Sequence, residues 1–469
     1  MAFDTAPADA DRTLPGREAP RLHVRPAAGQ WCNDPNGPVF HNGRYHLFFQ
    51  HNPSAAVWGD IHWGHASSPD LATWTDHGTA LAPTPGGRDA VGAWSGCAVI
   101  DEGVPTAVYT GMDRHDGIGS VMLARATDDT LRTLKAEPVP VVDGPPPGLD
   151  LHAFRDPFLF THEGRRWALV GAGHRRTRTP DVLLYRVDAL TSWTYAGSLL
   201  DAADPVAARV AAPATAWECP ALLPTGDGRW MLLLSLWADD ITYSTSWLLG
   251  DLEPSGEGLR FVPASGGMLD HGRDFYAPTV LVEDDRTLLW GWSWESRTEE
   301  ESVAAGWAGC LTHPREIGVH PQDGTPRLAP ARELAALRGT SLPPGAALPP
   351  AYEIELDATV SLADTELTLA LGDSVTLRLN PTRGTLTLDR TAAPATASHP
   401  LPRTAHAVAT VPGGTHARLH VLVDGPLLEV FLNERAMLTE KVHPAPRGSY
   451  EVTVVRGDAN VRTAAWTLG

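Results

Sequence analysis

Five related stretches recur along the chain, and their spacing limits the possible folds more than any other feature of the sequence. The first is WCNDPNGPVFHNGRYHLFFQHNP, from Trp31 to Pro53. Its relatives are WSGCAVIDEGVPTAVYTGM from Trp94 (the weakest), FRDPFLFTHEGRRWALVGAG from Phe154, WECPALLPTGDGRWMLLLSL from Trp217 and FYAPTVLVEDDRTLLWGWSW from Phe275. Each is a short apolar strand, a polar turn rich in Gly or Asp, and a second apolar strand bearing aromatics, which is the signature of a β-hairpin. Asp34, Ser95, Asp156, Glu218 and Tyr276 hold corresponding positions, separated by 61, 61, 62 and 58 residues. Five near-equal units of all-β character predict a five-bladed β-propeller, since a blade of about four strands takes roughly 40–60 residues. Strand pairs between the hairpins, such as IHWGHASSPDLATW and VLLYRVDALTSWTYAG, complete the blades outward. No long helical periodicity competes with this reading.

The pattern changes after the fifth unit. A chain of 469 residues is too long for one ordinary core. The segment Pro321–Pro350 is rich in Pro and Gly around one short helical stretch, Ala331 to Leu337, and reads as a linker. Beyond it, YEIELDATVSL, TELTLALGD, VTLRLN, TLTLD, ARLHVLVDG, LLEVFLN and YEVTVV alternate apolar and polar residues, with turns every 8–12 residues. That is the signature of a β-sandwich. The expected organisation is an N-terminal tail (1–20), a catalytic propeller (21–325), a linker with a short helix (326–350) and a C-terminal β-sandwich (351–469).

The repeat bears on chemistry, because the innermost strands of a propeller line a central channel and equivalent positions converge on its axis. Three of the five positions are carboxylates: Asp34, Asp156 and Glu218. Any one of them alone reads first as turn chemistry, an Asp-Pro or Glu-Cys-Pro entry to a strand. Three at one phase of a repeat read as a site. Two carboxyl groups facing one bond are the minimum equipment for hydrolysing a glycosidic linkage, one ionised and one holding a proton at neutral pH. Asn33 and the turn N–H groups beside Asp34 favour its charged form. Trp217, Cys219 and Pro220 suggest a less polar surrounding for Glu218 that favours the neutral acid. Asp156, preceded by Arg155, stays ionised to grip hydroxyls.

The bulk composition excludes other classes. A net charge of −19, from 56 acidic and 37 basic residues, argues against a partner held by its phosphates, so no nucleic acid is expected. Only Lys135 and Lys441 are lysines, and this arginine bias carries no mechanism of its own. Sixteen Trp offer flat apolar faces suited to sugars. Cys32, Cys97, Cys219 and Cys310 have neither metal-type nor disulfide-type spacing. The opening residues lack the apolar core of a signal peptide, and no apolar run approaches the roughly 20 residues that span a bilayer. A cytoplasmic protein with free thiols, no membrane and no cofactor is expected. His62 and His65 have a spacing seen in metal sites, but with no third ligand evident they read as structural, so no metal is expected. Glu299–Glu301 reads as a solvated loop. Strand alternation points Cys219 away from the channel.

WCNDPNG, FRDP and WECP resemble the three signature motifs of glycoside hydrolase family 32, the invertases and fructan hydrolases. The likeness extends to FFQHNP, WGDIHWGHASSPDLATW, WSGCAV, DHGRDFYAPTV, GWAGCLTHPREI and LLEVFLN, covering nearly the whole chain from about Arg21 onward. The resemblance implies a retaining β-fructofuranosidase acting on sucrose and short fructo-oligosaccharides through a covalent fructosyl-enzyme. Asp34 would be the nucleophile, Glu218 the acid/base and Asp156 the transition-state stabiliser. Asn33, Gln50, Trp58, Trp94, Ser95, Arg155 and Tyr276 would shape the fructose pocket. Cys32 stands where the family usually has Met, Cys97 where a small hydroxyl residue is common, and Gly425-Pro426 follows Asp424 where Arg-Ser is usual. The alternatives are a fructosyltransferase or a levan- or inulin-type fructanase on the same scaffold, an inverting glycosidase, and a non-catalytic carbohydrate-binding propeller. The partner is a small carbohydrate, with the chain a monomer or homodimer.

Overall fold

A computed structural model describes residues 19–321, 324–391 and 406–469. The fold is nearly all-β. Five antiparallel sheets, here numbered I to V, follow one another along the chain, each built from strands in sequential order. Their first strands are Trp31–His41, Gly92–Asp101, Leu151–His162, Ala216–Pro224 and Tyr276–Val282. Hairpins make this order inevitable: the tight turns at Asn42-Gly43, Glu102-Gly103 and Glu163-Gly164 put both residues at positive φ, which pairs each first strand with its successor. The first strands also touch one another in the cyclic order I, II, III, IV, V and back to I.

Two further sheets, of six and five strands, enclose one apolar core. Tyr352, Ile354, Leu356 and Ala358 of the strand Ala351–Val360 face Leu367, Leu369, Leu377 and Leu386 of the second sheet. The alternation seen in the sequence is the cause, since every second residue of Glu366–Leu371 and Thr385–Asp389 is buried. Four strands of this region were not apparent from the sequence: Arg338–Ser341, His406–Thr410, Ala436–Lys441 and Ala459–Leu468.

The segment expected as a linker is largely ordered structure. Pro326–Pro330 pairs with Arg315–Val319 as the outer strand of sheet V, and the helical stretch is a 3-10 turn over Arg332–Leu337. Arg338–Ser341 already belongs to the six-stranded sheet. Pro326 and Pro330 suit the open edge of a sheet, where a missing N–H costs nothing. Glu299–Glu301 is not a loop but the first turn of a helix, Glu299–Ala305, closed by a capping box between Thr298 and Glu301. Three carboxylates there meet the positive end of the helix dipole.

The two halves share apolar and charged contacts. One apolar cluster runs from Leu47 and Phe49 through Leu233 and Trp290 to Leu422, Phe431 and Met437. Asp424 begins the turn whose sequence departs from the family pattern, and its buried carboxylate accepts the N–H groups of Arg21 and Leu22 at 2.8 and 2.7 Å. No helix among the described residues is long and apolar enough to cross a membrane.

Candidate active site

Each first strand is broken by a β-bulge at the repeat position. In sheet I, Cys32 pairs with His51 and Pro35 with Phe49, so Asn33 and Asp34 together face Gln50. Ser95 is the extra residue of sheet II. Asp156-Pro157, Cys219-Pro220 and Ala277-Pro278 are the bulged pairs of sheets III, IV and V. Asp156, Cys219 and Ala277 all have positive φ, at 63°, 45° and 49°. A bulge of this kind bends the strand and re-aims a side chain, at a strain of ~1–3 kcal/mol for a non-glycine residue.

This geometry corrects two expectations. The shared phase holds for Asp34, Ser95 and Asp156, but Glu218 and Tyr276 sit one residue earlier, level with Arg155 and Asn33. Cys219 takes the in-phase position of sheet IV. It therefore points into the pocket rather than away from it, because the bulge cancels strand alternation: its Sγ lies 3.6 Å from both Asp34 Oδ2 and Asp156 Oδ2. The signal in the sequence was the proline, which follows Asp34, Asp156, Cys219 and Ala277 alike.

Eight of the ten expected residues meet around the carboxylates, and the other two, Trp58 and Trp94, meet each other. Asp34 Oδ2 accepts from Ser95 Oγ at 2.6 Å and Gln50 Nε2 at 3.2 Å, and Oδ1 accepts from Asn33 Nδ2 at 3.1 Å. Trp31 Nε1 fixes the Asn33 amide by donating to its Oδ1 at 2.9 Å. Glu218 accepts from Arg155 Nε at 2.9 Å and from the Tyr276 hydroxyl at 2.7 Å. The backbone N–H of Cys219 donates to Asp156 Oδ2 at 3.0 Å. Thr110, absent from the sequence reading, joins two sheets: it accepts from Asp156 N at 2.7 Å and donates to Ser95 O at 2.9 Å. Trp94 stands beside Ser95 and meets Trp58 edge-on, with ring centroids 5.7 Å apart. Trp58 itself is 52% exposed and touches none of the carboxylates.

The electrostatics follow from crowding three carboxylates into a buried space. Burial, together with the charge of Glu218, pushes Asp34 up to about 6, although the hydrogen bonds from Ser95 and Asn33 pull the other way. Asp156 is raised by burial and by the charges of Glu218 and Asp34, against the pull of Arg155. The Tyr276 phenol is pushed well up by burial and by Glu218, so it remains a donor. The Cys219 thiol is raised by burial and by all three carboxylates, which keeps it protonated. The surroundings of Glu218 are not the less polar ones expected, because Arg155 and Tyr276 come from neighbouring sheets that sequence distance conceals.

The two histidines of metal-type spacing do not share a ligand. His62 Nδ1 lies 2.7 Å from Asp60 O, and His65 Nε2 lies 3.0 Å from His46 Nδ1. Among the described residues, ligand atoms close enough for a cation occur in two other groups, His23 with His313 and Glu429, and Glu353 with Glu355 and His420. None of these six is a pocket residue, and His23 and Glu353 are already engaged in ion pairs.

Paired carboxyl groups, one held by a guanidinium and a phenol and the other by a hydroxyl and two amides, are the equipment of a glycosidase. Comparison with known proteins agrees. Residues 23–329 match the glycosyl hydrolases family 32 N-terminal domain, and residues 332–467 match the family 32 C-terminal domain. A sucrose-6-phosphate hydrolase of Escherichia coli is 31% identical over 96% of this chain and 95% of its own length. A raffinose invertase of Escherichia coli is 37% identical over 68% of this chain and 66% of its own. Among solved structures, a β-fructofuranosidase of Bombyx mori is 26% identical with a TM-score of 0.78, covering 97% of this chain and 95% of that one. The chain belongs to glycosyl hydrolase family 32.

Proposed function

We propose that the protein is a retaining β-fructofuranosidase that releases fructose from sucrose and short fructo-oligosaccharides. The observation that carries the reading is the pairing of Asp34, supported by Ser95, Gln50 and Asn33, with Glu218, supported by Arg155 and Tyr276. The relatives are named for sucrose 6-phosphate, raffinose and β-fructofuranosides, and a variant of the Bombyx mori enzyme was solved with sucrose. A terminal β-fructofuranosyl unit is common to these.

In this mechanism Asp34 attacks the anomeric carbon while Glu218 protonates the departing oxygen. The resulting fructosyl ester on Asp34 is hydrolysed by a water that Glu218 deprotonates. Burial and neighbouring negative charge raise Asp34 and Asp156, so these two carboxyl groups hold protons more readily than ordinary acids do. Asp156 accepts hydrogen bonds from fructose hydroxyls, Asn33 and Trp94 shape the pocket around the ring, and the exposed Trp58 stands edge-on to Trp94 at its rim.

The five sheets read as the blades of a propeller, supported by the cyclic contacts of their first strands. The catalytic domain ends and the sandwich begins near the 3-10 turn Arg332–Leu337. A cytoplasmic location is supported by four free cysteines, and the chain acts as a monomer or homodimer on a carbohydrate. The test is NMR of the first-formed product from sucrose. β-Fructofuranose is expected, and its α-anomer would overturn the retaining mechanism. Fructose transferred to a second sugar, in place of free fructose, would favour a fructosyltransferase.

A further inference from the structure

Arginine supplies nearly every positive charge in this chain, yet one of its two lysines is buried without solvent exposure. Lys441 ends the strand Ala436–Lys441, in the sandwich half of the molecule. Its ammonium is a compact point charge on a flexible stem with three rotatable donors.

The residue contacts two segments that adjoin strands carrying site residues. Its backbone N–H donates to Asp274 Oδ2 at 2.6 Å. Residues 270–274 lie along the edge of this strand: His271 N–H donates to Met437 O at 2.8 Å, Asp274 N–H to Thr439 O at 3.0 Å, and Thr439 N–H to Asp270 Oδ1 at 2.9 Å. The fit is so close that a Cβ on Gly272 would lie 2.2 Å from the Thr439 backbone. Two residues beyond Asp274 is Tyr276, the donor to Glu218.

The side chain leads the other way. Lys441 Nζ donates to Ser293 O at 3.0 Å and lies 3.5 Å from Glu295 Oε2. Ser293 follows Trp292, the partner of Tyr276 in sheet V. Glu295 accepts from Gly309 N–H at 3.2 Å and from Arg297 Nε at 2.9 Å, and Arg297 in turn donates to Trp307 O at 2.9 Å. Ala308 O accepts from Cys32 N–H at 3.0 Å, while a Cβ on Gly309 would meet Cys32 O at 1.8 Å. Cys32 lies two residues before Asp34.

We infer that Lys441 is a positioning residue through which the sandwich fixes the strands carrying Asp34 and Tyr276, and so the relative placement of the two carboxyl groups. This rests on the fructosidase reading above. A misplacement of about 1 Å at reacting groups costs roughly 10²-fold in rate, which sets the expected scale.

The experiment is a double-mutant cycle of Lys441→Met and Tyr276→Phe on sucrose, with folding of each variant followed by circular dichroism. Lys441→Met lowers kcat about tenfold or more with KM nearly unchanged, and the double variant loses less than the product of the two single losses, because the Lys441 side chain acts in part through the strand paired with Tyr276. A folded Lys441→Met enzyme with wild-type kcat, or losses that multiply in the double variant, would overturn the inference. Should Lys441→Met not fold, Glu295→Gln keeps the shape and removes the negative charge that faces the ammonium. It is expected to lower kcat with KM nearly unchanged, and an unchanged kcat would overturn the inference. Wild-type turnover is the control: an inactive wild type refutes the fructosidase reading and the inference with it, whereas an active one with multiplying losses refutes the inference alone.

Discussion

Asp34 is pulled in two directions. Burial and the negative charge of Glu218 favour its protonated form, while Ser95, Gln50 and Asn33 donate hydrogen bonds that favour the carboxylate. The balance leaves it at about 6, above the ordinary carboxylate range. A nucleophile must be ionised, so kcat/KM is expected to fall below about pH 6, approaching tenfold per pH unit. Removing the Ser95 hydroxyl removes a donor to the charged form, so in Ser95→Ala the acidic limb moves to higher pH, as a pH–rate profile on sucrose would record. A limb that stays in place would show that Ser95 does not act on this carboxylate. At the same scale, the three acids and the amide, hydroxyl, guanidinium and phenol groups that meet them were legible in the sequence. The orientation of Cys219 was not, because strand alternation is a rule for regular strands and the pocket is built where the strands are irregular.

At the scale of elements, the hairpin rhythm gave the five sheets and their order, since each unit closes on itself through a local turn. The alternation TELTLALGD and TLTLD likewise located strands of the sandwich. Strands held by distant partners were missed. Ala436–Lys441 is buried along its whole length yet ends in Glu440 and Lys441, which read locally as surface. Contacts far off in the sequence, with residues 270–274 and 293–295 and with Arg390, answer that charge. Pro326–Pro330 was hidden for the opposite reason: its prolines signal a linker, whereas the edge of sheet V tolerates them. The capping box at Thr298–Glu301 was visible as a pattern, but a run of three glutamates reads first as solvated surface.

The whole molecule is held together by buried ion pairs as well as by apolar contacts. Arg315 meets both Asp270 and Glu429, and Glu429 also approaches His23. Such networks are expensive to desolvate, and breaking one partner leaves the others uncompensated. Burial alone would lower the His23 pKa, but its hydrogen bonds to Asp424 and Glu429 and their charges outweigh that and raise it to about 9. A group raised in the folded state stabilises fully below its unfolded value near 6.5 and loses that contribution as pH rises through about 9. Thermal melts should therefore place wild type well above His23→Gln at pH 6, with the gap closing by about pH 10 as His23 loses its proton. A gap independent of pH would contradict this account of the interface.

The central claim is that Asp34 is the nucleophile of a fructoside hydrolase, and the most direct measurement is the turnover of sucrose by Asp34→Asn. The substitution keeps the shape of the bulge and removes the attacking oxygen. Since loss of a nucleophile removes a bond made only along the reaction path, kcat should fall by roughly 10³-fold or more in a protein that melts like the wild type. A folded Asp34→Asn enzyme within tenfold of wild-type kcat would contradict the assignment.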